Sequence, residues 1–169
     1  MIPMRNGTRN GKRGGEMEMR AECPIPEVSC RLILREDDVS YSTEPIDTQL
    51  KAVEIMKKIL QSFDRETVCV LNLDNKLRPI NWNMVSIGGL NRAEISIPNI
   101  FKTSILSNAA AIMMFHNHPS GDPEPSPVDD RATKEVKKAG KLLGIPLIDH
   151  IIIGAFNEDY YSYSEHGKM

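Results

Sequence analysis

The stretch from Ala110 to Asp130 reads AAIMMFHNHPSGDPEPSPVDD, and its character changes twice along its length. Ala110 to Phe115 is a continuous apolar run, the pattern of a strand covered on both faces. The stretch from His116 through Pro127 holds four prolines and a glycine, so the chain there is largely a loop. Ser126-Pro127-Val128-Asp129 then has the signature of a helix start. The serine is the N-cap, the proline takes the first helical position, and an acid three residues on completes a capping box. Val128, Ala132, Val136, Ala139 and Leu143 continue at spacings of three and four, and Gly144 ends the helix.

Working outward, Ile145 to Ile153 reads as a buried strand and Tyr160 to Ser164 as a short edge. Upstream, Leu50, Val53, Met56, Ile59, Leu60 and Phe63 recur at helical spacing after Pro45. Thr67 to Leu73 is rich in β-formers, Asp74-Asn75-Lys76 suits a turn, and Leu77 to Trp82 can return antiparallel. A third strand is expected to end near Gly88-Gly89, and Ala93 to Ile97 is short and β-prone. Pro98 sits well at the start of a helix through Ser107, and Cys30 to Leu34 suggests one more short strand. The sum is a mixed α/β domain, expected over residues 28–169. Residues 1–27 are rich in Gly, Asn, Arg and Glu with no period that buries a face, and they read as a solvated, disordered tail.

Composition removes several classes of function. A chain of 169 residues with 40% apolar and 26% charged residues fits one ordinary globular domain. A formal net charge of -2 gives no overall pull towards nucleic acid or a membrane. No apolar run approaches the ~20 residues needed to span a bilayer, and no apolar stretch follows the basic first residues, which argues against a secretory signal. Cys23, Cys30 and Cys69 are an odd set without CxxC spacing, which fits reduced thiols in a cytoplasmic protein better than a disulfide framework or a thiolate metal site.

His116 and His118 flank one residue, so the pleat of an extended chain sends both imidazoles to the same face. They stand where the apolar strand opens into the loop, and Asp129 lies in the first turn of the next helix. Zinc takes imidazole nitrogens and carboxylate oxygens at ~2.0–2.2 Å, and a catalytic site keeps three protein ligands plus a water. Two histidines and an aspartate meet that requirement if the proline-rich loop folds back. Taken alone, Asp129 is better explained as a capping acid.

His116-Asn117-His118, the segment Pro119 to Pro125, Ser126 and then Asp129 resemble the JAMM motif of MPN+ metalloproteases. The longer string HNHPSGDPEPSPVDD, with LIDHIIIG after the helix and SYSEHG near the end, is similar to the bacterial RadC branch over about Asp47 to Gly167. The resemblance implies a central mixed sheet flanked by helices, with the layering of cytidine deaminases. It also implies a zinc ion held by His116, His118 and Asp129, and water activated by a glutamate upstream of the histidines. Glu66 matches the RadC pattern of Arg-Glu before a β-run, and Glu94, nearer in sequence, is its competitor. Ser126 matches the family serine, whose hydroxyl hydrogen-bonds the developing oxyanion, and the same hydroxyl serves equally well as the N-cap. His150, also within the RadC pattern, reads as a hydrogen-bonded core histidine that Asp149 could orient, and His166 as solvent-exposed.

Relatives in the wider family cut peptide or isopeptide bonds, so a zinc metallopeptidase acting on a protein or peptide is the first expectation. A nucleic-acid-associated factor is the rival. Arg131, Lys134, Lys138 and Lys141, with Lys137 nearby, run along one side of the helix and could meet phosphates, although such a stripe is usually a solvated face. The first 46 residues read as short and tail-like, and the expectation is that they lack the helical N-terminal region of full-length RadC proteins, which puts a DNA role assigned through that region in doubt. A catalytically silent scaffold would have lost its ligands, and the His-His-Asp set is intact.

Overall fold

Ala52, Val53, Met56, Ile59 and Leu60 line one side of helix α1, Gln49–Leu60, and all five are buried. The computed structural model describes residues 29–30, 32–33, 44–60, 63–87, 96–154 and 158–169. After α1 come β1 (Thr67–Leu73), β2 (Pro79–Ile87), α2 (Ile97–Leu106), β3 (Ala111–His118), α3 (Pro127–Leu143), β4 (Leu147–Gly154) and β5 (Tyr160–Ser162). The strands form one sheet in the order β2-β1-β3-β4-β5. Only β3 and β4 run parallel, and α3 makes the crossover between them, as a parallel pair requires. The mixed α/β reading therefore holds, with a five-stranded mixed sheet and three helices among the described residues.

Alternation along the strands divides the core into two layers. Cys69, Leu71 and Leu73 of β1, Met113 and Phe115 of β3, and Ile151 and Ile153 of β4 pack with the buried side of α1. Val68, Val70, Ile112, Met114 and Leu147 point the other way, onto Ile100 and Phe101 of α2 and Ala132 and Val136 of α3. Each large apolar side chain fully buried in this way contributes about 1.5–3 kcal/mol. That double coverage explains the unbroken apolar run before His116. It also fixes direction, because His116 and His118 share the parity of Ile112 and Met114 and so face the α2/α3 layer.

The capping box forms as read from the sequence. Ser126 Oγ accepts the Asp129 amide at 3.3 Å, and the Asp129 carboxylate accepts the Ser126 amide at 2.7 Å. Gly144 ends α3 at φ 71, a left-handed conformation that glycine adopts without strain. Gly140 has a different role. A Cβ there would lie 2.6 Å from the Ile145 carbonyl oxygen, so only glycine lets the helix approach the turn into β4 this closely.

Some expectations need correction. The described residues Cys30, Leu32 and Ile33 are exposed and carry no strand. The two strands expected between Leu77 and Gly88 are a single strand, β2. Asn81 and Asn83 break its apolar pattern, which an edge strand tolerates; Asn81 is bonded to Asn72 at 2.7 Å and to Ser107 at 2.8 Å. Ile97 begins α2 instead of ending a strand, with Ser96 as the N-cap. The tail expected over 1–27 and the segment 88–95, with Glu94, lie outside the described residues. No helix among the described residues is long and apolar enough to cross a membrane.

Candidate metal centre

The chain reverses direction relation at β3, which is antiparallel to β1 and parallel to β4. Ligand sites in open α/β sheets favour the carboxyl ends of strands at such points. His116 and His118 occupy that end of β3, and the N-terminus of α3 brings Asp129 to them. One ligand atom from each of Glu66, His116, His118 and Asp129 can be chosen such that all lie within 4.8 Å of one another.

The inner distances can be compared with those of a metal-ligand set. His116 Nε2 stands 2.9 Å from His118 Nε2 and 3.4 Å from Asp129 Oδ1, and His118 Nε2 stands 3.8 Å from Asp129 Oδ2. Ligands at ~2.0–2.1 Å around a tetrahedral ion are about 3.3 Å apart, so these separations fit one small divalent cation. His118 Nδ1 lies 2.7 Å from the Asp122 carbonyl oxygen, which only accepts. The ring therefore donates through Nδ1, and in the neutral ring Nε2 carries its lone pair towards Asp129 and His116. The donor set and its spacing fit a metal ion.

Asp129 serves two purposes at once. Oδ2 caps the helix through the Ser126 amide while Oδ1 faces His116. The sequence offered cap and ligand as alternatives, and the geometry accommodates both because a carboxylate has two oxygens. Burial pushes His116 down to about 4, against the charge of Asp129, with His118 adding to the decrease. His116 is consequently neutral, the form a metal needs.

Access is one-sided. His116 and Asp129 are buried, whereas Glu66 and His118 are partly exposed, so water and a substrate can enter over that edge. Glu66 does not pair with Arg65, whose Nε binds Asp64 at 3.0 Å.

Asn117, between the two histidines, was not singled out from the sequence. Its Oδ1 accepts the Thr67 amide at 2.8 Å, and its Nδ2 donates to the Arg65 carbonyl at 3.2 Å. These are the two residues that flank Glu66, so one carboxamide ties the ligand strand to the backbone carrying the acid. Asn117→Ala would leave that amide and carbonyl unsatisfied. We expect a loss of about 1–3 kcal/mol per group stranded without water, measured by urea unfolding, with metal uptake retained.

A family model described as a RadC-like JAB domain matches residues 46–168. The chain belongs to that family. Among its relatives, a UPF0758 protein of Thermotoga maritima is 36% identical over 126 residues, covering 75% of this chain and 55% of the relative. One from Syntrophomonas wolfei is 41% identical over 113 residues, 67% of this chain and 48% of its own. One from Roseiflexus castenholzii is 36% identical over 141 residues, 83% of this chain and 58% of its own. The chain thus spans about half the length of the curated relatives it matches.

Two further histidines of this RadC-like JAB chain behave differently. His166 is exposed, its ring 4.0 Å from that of Tyr161. His150 is fully buried, but Asp149 does not orient its ring. The Asp149 carboxylate instead accepts Ser162 Oγ at 2.6 Å and the Ser164 amide at 3.0 Å, and burial raises its pKa. Lys134, Lys137, Lys138 and Lys141 line a groove of about 470 Å³ with Pro146 and Leu147, and none has an ion-pair partner among the described residues.

Proposed function

We propose that the chain is a zinc-dependent hydrolase of peptide or isopeptide bonds, with His116, His118 and Asp129 as ligands and Glu66 as general base. The observation that carries this reading is the convergence of Glu66, His116, His118 and Asp129 within 4.8 Å at the end of one strand. A bound zinc ion would supply a Lewis acid that acidifies water towards ~7 and polarises a carbonyl oxygen. Glu66, on the open edge, takes a proton from the attacking water and returns it to the leaving amine. Asp129 and His116, buried, hold their geometry with little reorganisation. Ser126 Oγ accepts the Asp129 amide, which leaves its own proton for an oxyanion formed during the reaction.

The test uses the full chain, a panel of internally quenched peptides and a Gly-Gly unit joined to a lysine side chain. Cleavage that is lost to a chelator and restored by zinc supports the reading; zinc uptake without cleavage of any amide in the panel counts against it.

A second reading, contact with nucleic acid, draws on the four lysines around the groove beside Pro146 and Leu147, which have no ion-pair partner among the described residues. Four phosphate contacts predict about a 100-fold loss of duplex affinity between 50 and 200 mM salt. A flat salt response eliminates this reading and leaves the lysines as the solvated face of α3.

A further inference from the structure

We propose that Thr133 and His150 form a positioning relay that holds His116 with its unprotonated Nε2 turned towards the candidate metal centre. The inference rests on the metal reading above and extends it to two residues outside the ligand set.

The direction of each hydrogen bond can be worked out from its fixed end. Thr133 Oγ1 lies 2.7 Å from the backbone carbonyl oxygen of Asp129, one turn earlier in α3. A carbonyl only accepts, so the single hydroxyl proton points there. Thr133 Oγ1 is also 2.6 Å from His150 Nδ1. With its proton committed, the hydroxyl has only a lone pair to offer, and Nδ1 must donate. A neutral imidazole has one N–H, so His150 Nε2 is an acceptor. It stands 2.8 Å from His116 Nδ1, which therefore donates in turn. The remaining nitrogen of His116 is Nε2, the atom that faces His118 and Asp129.

Asp129 stands at both ends of the relay: its backbone oxygen is the first acceptor, and its carboxylate Oδ1 lies 3.4 Å from the lone pair of His116 Nε2. Thr133 is 2% exposed and His150 0%, so their polar atoms must find partners inside the protein. Tyr163 stacks on the His150 ring at 4.9 Å with planes 7° apart, and its hydroxyl donates to Asp130 Oδ1 at 3.0 Å, which fixes the ring plane. Both His150 nitrogens are used, so the residue acts through His116 and not as a fourth ligand. A metal-bound histidine commonly needs such a partner on its other nitrogen to set tautomer and orientation.

The experiment combines two readouts on the full chain. Ring ¹⁵N NMR of the metal-free protein should show His116 and His150 protonated at Nδ1. Competition with a chromophoric chelator then measures zinc affinity. Thr133→Val keeps the shape and removes the acceptor, and we expect zinc to bind about 10–100-fold more weakly. Thr133→Ser restores the hydroxyl and should bind as the wild type does. His150→Gln retains an acceptor for His116 and should lose less affinity than His150→Leu. If the His150 variants fail to fold, the Thr133 pair still decides the matter. Nε2 protonation of His116, or wild-type zinc affinity in Thr133→Val, would overturn the relay. Failure of the wild type to take up zinc would refute the metal reading itself. Tautomers read without metal separate that failure from failure of the relay.

Discussion

Glu66→Gln is expected to leave metal uptake unchanged and to lower hydrolysis by about 10²- to 10⁴-fold, the usual contribution of a positioned general base. The substitution keeps the size and hydrogen-bonding reach of the side chain and removes only its ability to take a proton. Glu66 shares the cluster with His116, His118 and Asp129 and lies on its partly exposed edge. Its backbone is held on both sides by Asn117, so the effect belongs to the acid and not to a displaced strand. Initial rates on a cleaved peptide, with zinc content measured on the same sample, give the answer. A rate within a few-fold of wild type would remove Glu66 from the mechanism, and a parallel loss of zinc would make it a ligand.

Acid should unfold the metal-free chain earlier than carboxylates alone would dictate. His116 is pushed down to about 4 by burial, with His118 adding to the decrease and Asp129 opposing it. Burial also holds His150 well below its ordinary value, and the charges of His116 and His118 act in the same direction. In the unfolded chain both rings take a proton near pH 6.5, whereas in the folded chain they resist. The unfolded state therefore binds more protons below pH 6.5, and stability falls as pH drops through that window. For His116 the drop from 6.5 to about 4 corresponds to about 3 kcal/mol. Asp149 opposes this in part. Its raised carboxyl pKa makes its own contribution greatest at low pH and lost as pH rises. Urea unfolding with a chelator present at pH 7.5, 6 and 4.5 measures the sum. We expect a steady decline over that range; constant stability would mean that the two rings are not held neutral.

Local chemistry explains what could be read from the sequence. The capping box at Ser126, the stop at Gly144 and the apolar run before His116 depend on neighbours in the chain, and each appears where expected. The pairing of His116 with His118 follows from strand pleating alone. Asn117 and Thr133 were missed because their partners are set by strand register and by the placement of α3 on the sheet. Thr67 meets Asn117 across the β1–β3 pairing, 50 positions away, and His150 reaches His116 because β4 lies parallel to β3. A faint signal existed for both: a polar residue inside an element covered on both sides needs a partner. The unity of β2 was hidden for the opposite reason, since an edge strand tolerates polar positions that break the apolar pattern.

Metal content tests the central claim most directly. After zinc loading and dialysis, elemental analysis should find close to one zinc per chain in the wild type and almost none in His116→Ala or Asp129→Ala, with circular dichroism confirming that both variants are folded. No zinc in the wild type, or full retention by both variants, would contradict the grip of two imidazoles and a carboxylate on which the account depends.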